Sequence, residues 1–461
     1  MSDSIMGRLT KSDIYKKWVL YIVCFCVCMV IQVLFGLDKF SYGDSADYWI
    51  YGERLWQSGR FNLLSIETGF RGYVFPLILG SCNHFLGGIN GYKMLGAVLV
   101  SWAFVDGIPQ IVIKKRTYNM KENISCVLSL IIFCYFFYGL IVYALTDLYA
   151  IIICIVNIIL SNKIMEEKKE YKILIYCFLL GIGVYCVYNI RTIYLFSSMY
   201  ILILFIYRIL KGNQKIFKKI LMVSSNILGI ILATLPQAYL NYMFLGKVSI
   251  QVPTQGLMLQ QMYWGLQYQR YETYIGTQQS IPQMRFLDPV GQKILLAEGF
   301  NGLGRWKDYF YLVFNYPLEI MGIYVRHFVN MLFPIWPNQY VLNMDNCKTI
   351  RLLLAFSCCF LFVLITSKKF WRDTIGFRNF IPVLVPVIFI LPGAVESRFF
   401  SGMWIMVISM LCYAVQWEQL WNCYKNRMWK VAIVYVVSFA IISSMWTAML
   451  ASELDYNIFV R

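Results

Sequence analysis

Val19-Leu-Tyr-Ile-Val-Cys-Phe-Cys-Val-Cys-Met-Val-Ile-Gln-Val-Leu-Phe-Gly-Leu37 contains no charged side chain. About 20 apolar residues, coiled as a helix, cross the ~30 Å hydrocarbon layer of a bilayer. Lipid offers no water to backbone N–H and C=O groups, so a run of this kind satisfies them only within a helix. Runs of the same type recur at Ile124 to Leu145, Ile220 to Leu240 and Val431 to Leu450. Of the 461 residues, 59% are hydrophobic and 14% charged; soluble domains are about a quarter charged. No small-residue cleavage site follows Leu37 and many apolar runs come after it. The first run therefore reads as a retained span and not as a signal peptide. The expected fold class is all-α, a polytopic membrane helical bundle.

Charge orients the bundle. More than half of the 41 Lys and Arg lie in six short stretches: Arg8 to Lys17, Lys114 to Lys121, Lys163 to Lys172, Arg208 to Lys219, Lys368 to Arg378 and Lys425 to Lys430. Basic loops stay on the cytoplasmic side, which puts the N-terminus inside, in a cell membrane. Spans are then expected at 18–37, 94–113, 124–145, 148–162, 173–190, 192–207, 220–241, 350–366, 380–394, 399–416 and 431–451, about eleven in all. The apolar stretches Tyr73 to Leu86 and Pro317 to Pro334 would invert every later loop if they crossed. The second also carries Arg326 and His327, which hydrocarbon disfavours. Both are assigned as helices at the outer interface. The chain divides into a transmembrane module over 1–241 with its first outer loop at 38–93, a large outer loop over 242–349, and C-terminal spans over 350–461. That large loop is too long for a simple connector. Its many Tyr and Trp imply order, with interfacial helices.

The net charge of +17 would favour nucleic acid in a soluble protein. Here the basic residues serve topology, no compact basic domain exists, and no nucleic-acid partner is expected. Most of the 14 Cys sit inside apolar runs, where thiols act as small hydrophobes. With two His in the whole chain and no CxxC pair, no His/Cys metal site is expected.

The first outer loop carries the sharpest chemical signal: Tyr42-Gly-Asp44-Ser-Ala-Asp47-Tyr48-Trp-Ile-Tyr51-Gly-Glu-Arg-Leu55-Trp56-Gln-Ser58-Gly59. Asp44 can open a helix at its N-cap. Tyr48, Tyr51, Leu55 and Trp56 then share one face, suited to a membrane surface. Gly59 ends the segment, and Phe70-Arg71-Gly-Tyr-Val-Phe-Pro76 begins a second helix with Pro in its first turn. Further on, Ala144-Leu-Thr-Asp147, Asn189-Ile-Arg191 and Glu396-Ser-Arg398-Phe-Phe place ionisable groups at the outer ends of expected spans. Such groups are costly at membrane level unless they pair or serve a site.

These stretches resemble the GT-C superfamily of membrane glycosyltransferases, which includes protein O-mannosyltransferases and the lipid A aminoarabinose transferase. In that pattern an acid opens an amphipathic helix after the first span, a Tyr follows four residues later, and a Ser/Ala-Gly closes it. A basic residue and a Pro-headed helix come next. Asp44, Tyr48, Ser58-Gly59, Arg71 and Pro76 occupy those places. Ser45 departs from the second acid that many members carry there. The likeness covers about the first 200 residues and then the element at Glu396. It implies transfer of a sugar from a polyprenyl-phosphate donor, on the outer face, to a glycan, lipid or protein acceptor. On this reading Asp44 is the catalytic base, and Asp147 positions the acceptor or shares a divalent cation. Arg71, Arg191 and Arg398 meet the phosphate, and Tyr48 and Glu396 line the site. No metal ligand set is assigned. Trp264, Tyr268 and Tyr271 in the large loop are weaker candidates for stacking on a sugar. A polysaccharide polymerase using lipid-diphosphate oligosaccharides and a flippase for lipid-linked sugars are the alternatives. The topology makes one direct prediction. Single cysteines placed at 44 and at 147 in a Cys-free background both react with an impermeant maleimide added outside intact cells, and labelling from opposite sides excludes a shared site.

Overall fold

The computed structural model describes residues 11–36, 44–66, 72–112, 118–253, 256–274, 283–332, 340–341, 379–414 and parts of 430–441. It is mostly helical, at 83%. Among the described residues seven helical segments are long and apolar enough to cross a bilayer: Ser12–Phe35, Ile89–Val112, Met120–Phe137, Thr146–Glu166, Glu170–Ile190, Thr192–Lys211 and Ile216–Leu245. They overlap the first seven expected spans. Arg71, the stretch 350–366 and most of 431–451 lie outside the described residues.

The elements of the first part are α1 (Lys11–Gly36), α2 (Asp44–Arg54), α3 (Val74–Phe85), α4 (Ile89–Trp102), α5 (Ile108–Val112), α6 (Met120–Phe137), α7 (Gly139–Val142), α8 (Thr146–Glu166), α9 (Glu170–Ile190), α10 (Leu195–Lys211) and α11 (Ile216–Leu245). Two boundaries differ from expectation. The apolar run 124–145 is not one span: α6 stops at Phe137, α7 is a single turn, and Leu145 is extended. Hydrophobicity is continuous there, but Gly139 weakens the helix. The next helix begins earlier than 148, so that Thr146 and Asp147 form its first turn.

Between α4 and α5 the backbone winds through one π-helical turn, Ala103–Gly107. The extra residue lies beside a polar cluster inside the helical bundle. The Asp106 carboxylate accepts hydrogen bonds from the hydroxyls of Tyr21 (2.6 Å) and Tyr118 (2.7 Å) and meets the Lys17 ammonium at 2.6 Å. Tyr118 reaches it from a left-handed backbone, φ 50°.

Two compact units divide the chain, one over 1–134, 140–254 and 373–386, the other over 135–139, 255–372 and 387–461. In the first, α9 and α11 approach so closely that a Cβ on Gly181 would lie 2.1 Å from the Asn226 carbonyl oxygen. One on Gly229 would lie 2.1 Å from that of Phe178. Small residues permit this intimacy between apolar helices, whose attraction in lipid comes from contact and not from water exclusion.

The second unit departs from an all-α fold. It contains α12 (Leu257–Gln267), β1 (Tyr268–Tyr274), β2 (Gln283–Leu287), α13 (Pro289–Ala297), α14 (Trp306–Asn315), α15 (Pro317–Leu332) and β3 (Tyr340–Val341). The strands form one sheet in the order β2-β1-β3, antiparallel then parallel. Tyr and Thr in β1 favour extended backbone, and apolar-run analysis does not detect such short polar strands. The stretches beginning at Tyr73 and Pro317 are helical as expected. Arg326 and His327 of α15 are paired. The Arg326 guanidinium grips Asp288 through Nε (2.7 Å) and Nη2 (2.8 Å). Asp288 also caps α13 by accepting from Val290 N–H and Gly291 N–H, each at 3.0 Å. The buried His327 ring faces the carbonyls of Leu391 (2.5 Å) and Tyr268 (2.9 Å). Burial holds its pKa below the ordinary histidine value, and the two carbonyls oppose that shift.

Near the end of the described chain, the stretch 380–394 is helical only over Ile381–Ile390, α16, because the chain turns at Pro392-Gly393. The expected span at 399–416 begins as a 3₁₀ turn at Ser397–Phe400, continues as α17 (Ser401–Ser409) and ends in a π turn. Gly229→Val should separate α9 from α11 and destabilise the fold by about 1–3 kcal/mol, read as a lower midpoint of thermal unfolding in detergent.

Candidate functional site

In the first unit, α2 opens at Asp44, with Asp47 also in its first turn. Carboxylates at a helix N-terminus are stabilised by the unpaired N–H groups there. Asp44 is half-buried. Four residues on, Tyr48 is buried and stands edge-on to Phe75 of α3, with centroids 5.0 Å apart. The α2 face expected to lie on the membrane surface is instead packed on α3. Leu55 is fully buried and Trp56 stacks on His84 at 4.4 Å. A Cβ on Gly80 would lie 2.5 Å from the Gly52 carbonyl oxygen, so the two glycines allow the helices to touch. A one-face aromatic stripe fits a protein neighbour as well as lipid, and here α3 supplies it. A short turn follows α2, and Gly59 takes a left-handed backbone (φ 74°).

Phe75 then meets Tyr149 of α8 at 5.3 Å, Tyr149 stacks on Tyr92 at 5.8 Å, and Tyr92 meets Trp49 at 6.2 Å. With Tyr48 and Trp49 adjacent in α2, five aromatic rings close a circuit that ties α2 to α3, α4 and α8. Offset and edge contacts of this kind add about 0.5–1.5 kcal/mol each beyond their burial.

Tyr149 stands two residues after Asp147, so the same circuit reaches the second candidate acid. Asp147 is buried in the first turn of α8. Arg191 follows the end of α9 with an extended backbone. Its Nη1 donates to the Asp147 carboxylate at 2.9 Å and to the Thr146 hydroxyl at 3.0 Å. The two side chains are 13% and 4% exposed, so little water screens the pair. Tyr194 is buried beside the pair, and its N–H donates to the Arg191 carbonyl at 3.0 Å. Asp147 and Arg191, chosen separately from the sequence, thus form one ion pair.

A polar seam runs on from this turn. Asn189 accepts from Val74 N–H (2.9 Å) and donates to Gln237 (2.9 Å). Gln237 donates to Asn241 (3.1 Å), and Asn241 to the carbonyls of Ser249 (2.6 Å) and Gln251 (2.8 Å). Tyr73 donates its hydroxyl to the Ala233 carbonyl at 2.7 Å, within the turn that precedes Pro236 of α11. A proline loosens that turn and leaves carbonyls in need of donors. Gly72, where a Cβ would lie 2.0 Å from the Asn189 carbonyl oxygen, keeps the start of α3 against this turn.

In the second unit Glu396 and Arg398 are joined to each other through Oε2 and Nε, and Glu396 is buried. The carbonyl of Val395 accepts from Tyr271 N–H of β1 at 3.0 Å. Trp264 and Tyr271 stack on one another at 6.1 Å. Among the described residues no group of three or more His, Cys, Asp and Glu converges on a point.

Sequence reasoning passed over Thr146, Phe75, Tyr149 and Tyr194. Thr146 was legible as the neighbour of Asp147; the aromatics sit in apolar runs where nothing distinguishes them. No family model matches the chain, and no curated protein or solved structure matches it. Removing one partner of a buried ion pair leaves the other uncompensated, at about 3–5 kcal/mol. Arg191→Ala should therefore lower the unfolding midpoint sharply, and Arg191→Ala with Asp147→Asn should recover a large part of the loss.

Proposed function

We propose that the chain is a membrane glycosyltransferase of GT-C type, moving a sugar from a polyprenyl-phosphate donor to a hydroxyl acceptor on the outer face of the cell membrane. The observation that supports it best is the placement of Asp44 and Asp147 at the first turns of two helices linked by one aromatic circuit, with Arg191 beside Asp147. Seven helices suited to spanning a bilayer provide the setting in which such a donor is found.

The chemistry follows from the residue types. The Asp44 carboxylate takes the proton of the acceptor hydroxyl as its oxygen attacks the anomeric carbon. The bond from that carbon to the phosphate oxygen breaks with its electron pair, and the configuration inverts. The leaving phosphate gains negative charge, which arginine stabilises through paired N–H donors. Arg71 and Arg191 are assigned that role. Arg191 already holds Asp147, so it offers the donor a charge fixed in position. Asp147 orients the acceptor or shares a divalent cation with it. Glu396 and Arg398 are assigned to the same reaction through the family resemblance alone. Tyr48 is assigned to substrate binding through the same resemblance.

Asp44→Asn keeps the shape of the carboxylate but cannot accept the proton. In purified protein given a radiolabelled polyprenyl-phosphate sugar, turnover should fall by about 100-fold or more while the unfolding midpoint is retained. Full turnover in this variant rejects the base assignment. Product analysis of the same reaction separates the alternatives, since a polymerase requires a lipid-diphosphate oligosaccharide and a flippase forms no new bond.

A further inference from the structure

Among the described residues, α14 and α15 each pack through one face. Tyr309 and Leu312 of α14, with Ile320 and Ile323 of α15, enter a single apolar cluster with Leu266 and Ile294. The opposite face of α14 carries Trp306, Phe310 and Phe314 at four-residue steps. That of α15 carries Leu318, Met321 and Val325. Helical winding puts each set on one stripe. Both inner faces meet the same cluster, so both outer faces turn away from it. Phe314 and Leu318, flanking the short turn between the helices, are 79% and 84% exposed. A contiguous apolar surface of this kind marks a binding face.

We propose that this face rests on a lipid monolayer, with the axes of α14 and α15 lying along the membrane surface. Length is the first argument. The helices have 10 and 16 residues, fewer than the ~20 needed to cross, so where they meet lipid they lie on it. Composition of the rim is the second. Trp306, Tyr311 and Tyr316 pair an apolar ring with a polar atom, the chemistry that settles at headgroup level. The hydroxyls of Tyr311 and Tyr316 both donate to Glu298, so the polar ends of both rings are satisfied. Charge is the third. Arg305 and Lys307 flank the start of the face; Arg305, 79% exposed and 3.8 Å from Asp308, and the exposed Lys307 leave a net positive charge there that complements anionic headgroups. On α15, Arg326 holds Asp288 and His327 is enclosed, and the exposed Glu319 falls off the stripe of Leu318, Met321 and Val325 by helical winding.

The test uses the full chain in vesicles of phosphatidylethanolamine and phosphatidylglycerol. A benzophenone amino acid is placed at Phe314 or at Leu318, both exposed enough to accept it, and irradiated. Lipid adducts should exceed protein adducts severalfold at both positions. Independently, brominated lipid should quench the Trp306 emission, taken as the difference between the wild type and Trp306→Phe. Cross-links chiefly to a second copy or to another protein, lipid adducts at neither position, or a Trp306 signal unmoved by brominated lipid overturn the proposal.

Discussion

A buried carboxylate among apolar helices must be neutralised, and in the first unit Arg191 does this for Asp147. The pair joins the start of α8 to the end of α9, and Thr146 completes it. From the same turn Asn189 continues to the start of α3 and to Gln237 of α11. One seam of polar contacts therefore ties the ends of α3, α8 and α9 to α11 at Gln237. The second unit repeats the device with Asp288 and Arg326, which stitch α13 to α15. In both places the ion pair does what apolar packing between helices does poorly: it selects one angular setting among several of similar energy.

This arrangement shapes the proposed chemistry. A phosphate that met Arg191 would share a guanidinium already committed to a carboxylate. Its charge would be positioned in advance, which is what electrostatic catalysis requires. Asp44 differs in kind. It opens a short helix, half-buried, four residues before Tyr48 and five before Trp49, whose rings are packed against α3 and α4. A base that must accept and release a proton benefits from such a position near water.

The seven described spans were legible because lipid leaves the backbone no other choice, and because basic loops punctuate them. Their ends were less so. The run through Gly139 is uniformly apolar, so only the local weakness of the helix divides it. The outward stripe of α2 was read correctly as a stripe but assigned to lipid, since a sequence does not say which neighbour will cover it. The sheet formed by β1, β2 and β3 escaped notice because its strands are short and polar. At the site, Asp44, Tyr48, Asp147 and Arg191 were each visible as polar groups at helix ends. That Arg191 holds Asp147, and that Phe75 and Tyr149 bridge α2 to α8, depends on contacts between distant segments. Those are set by tertiary packing, which no local pattern encodes.

The π turn at Ala103–Gly107 makes α4 and α5 two halves of one rod set out of phase. An added residue in the winding advances everything beyond it by about a third of a revolution relative to an unbroken helix. The offset works as a locating key. Rewinding the turn to ordinary pitch would swing Asp106 out of line with Tyr21, Tyr118 and Lys17, so the rotational alignment of this rod against α1 is encoded in a single surplus residue.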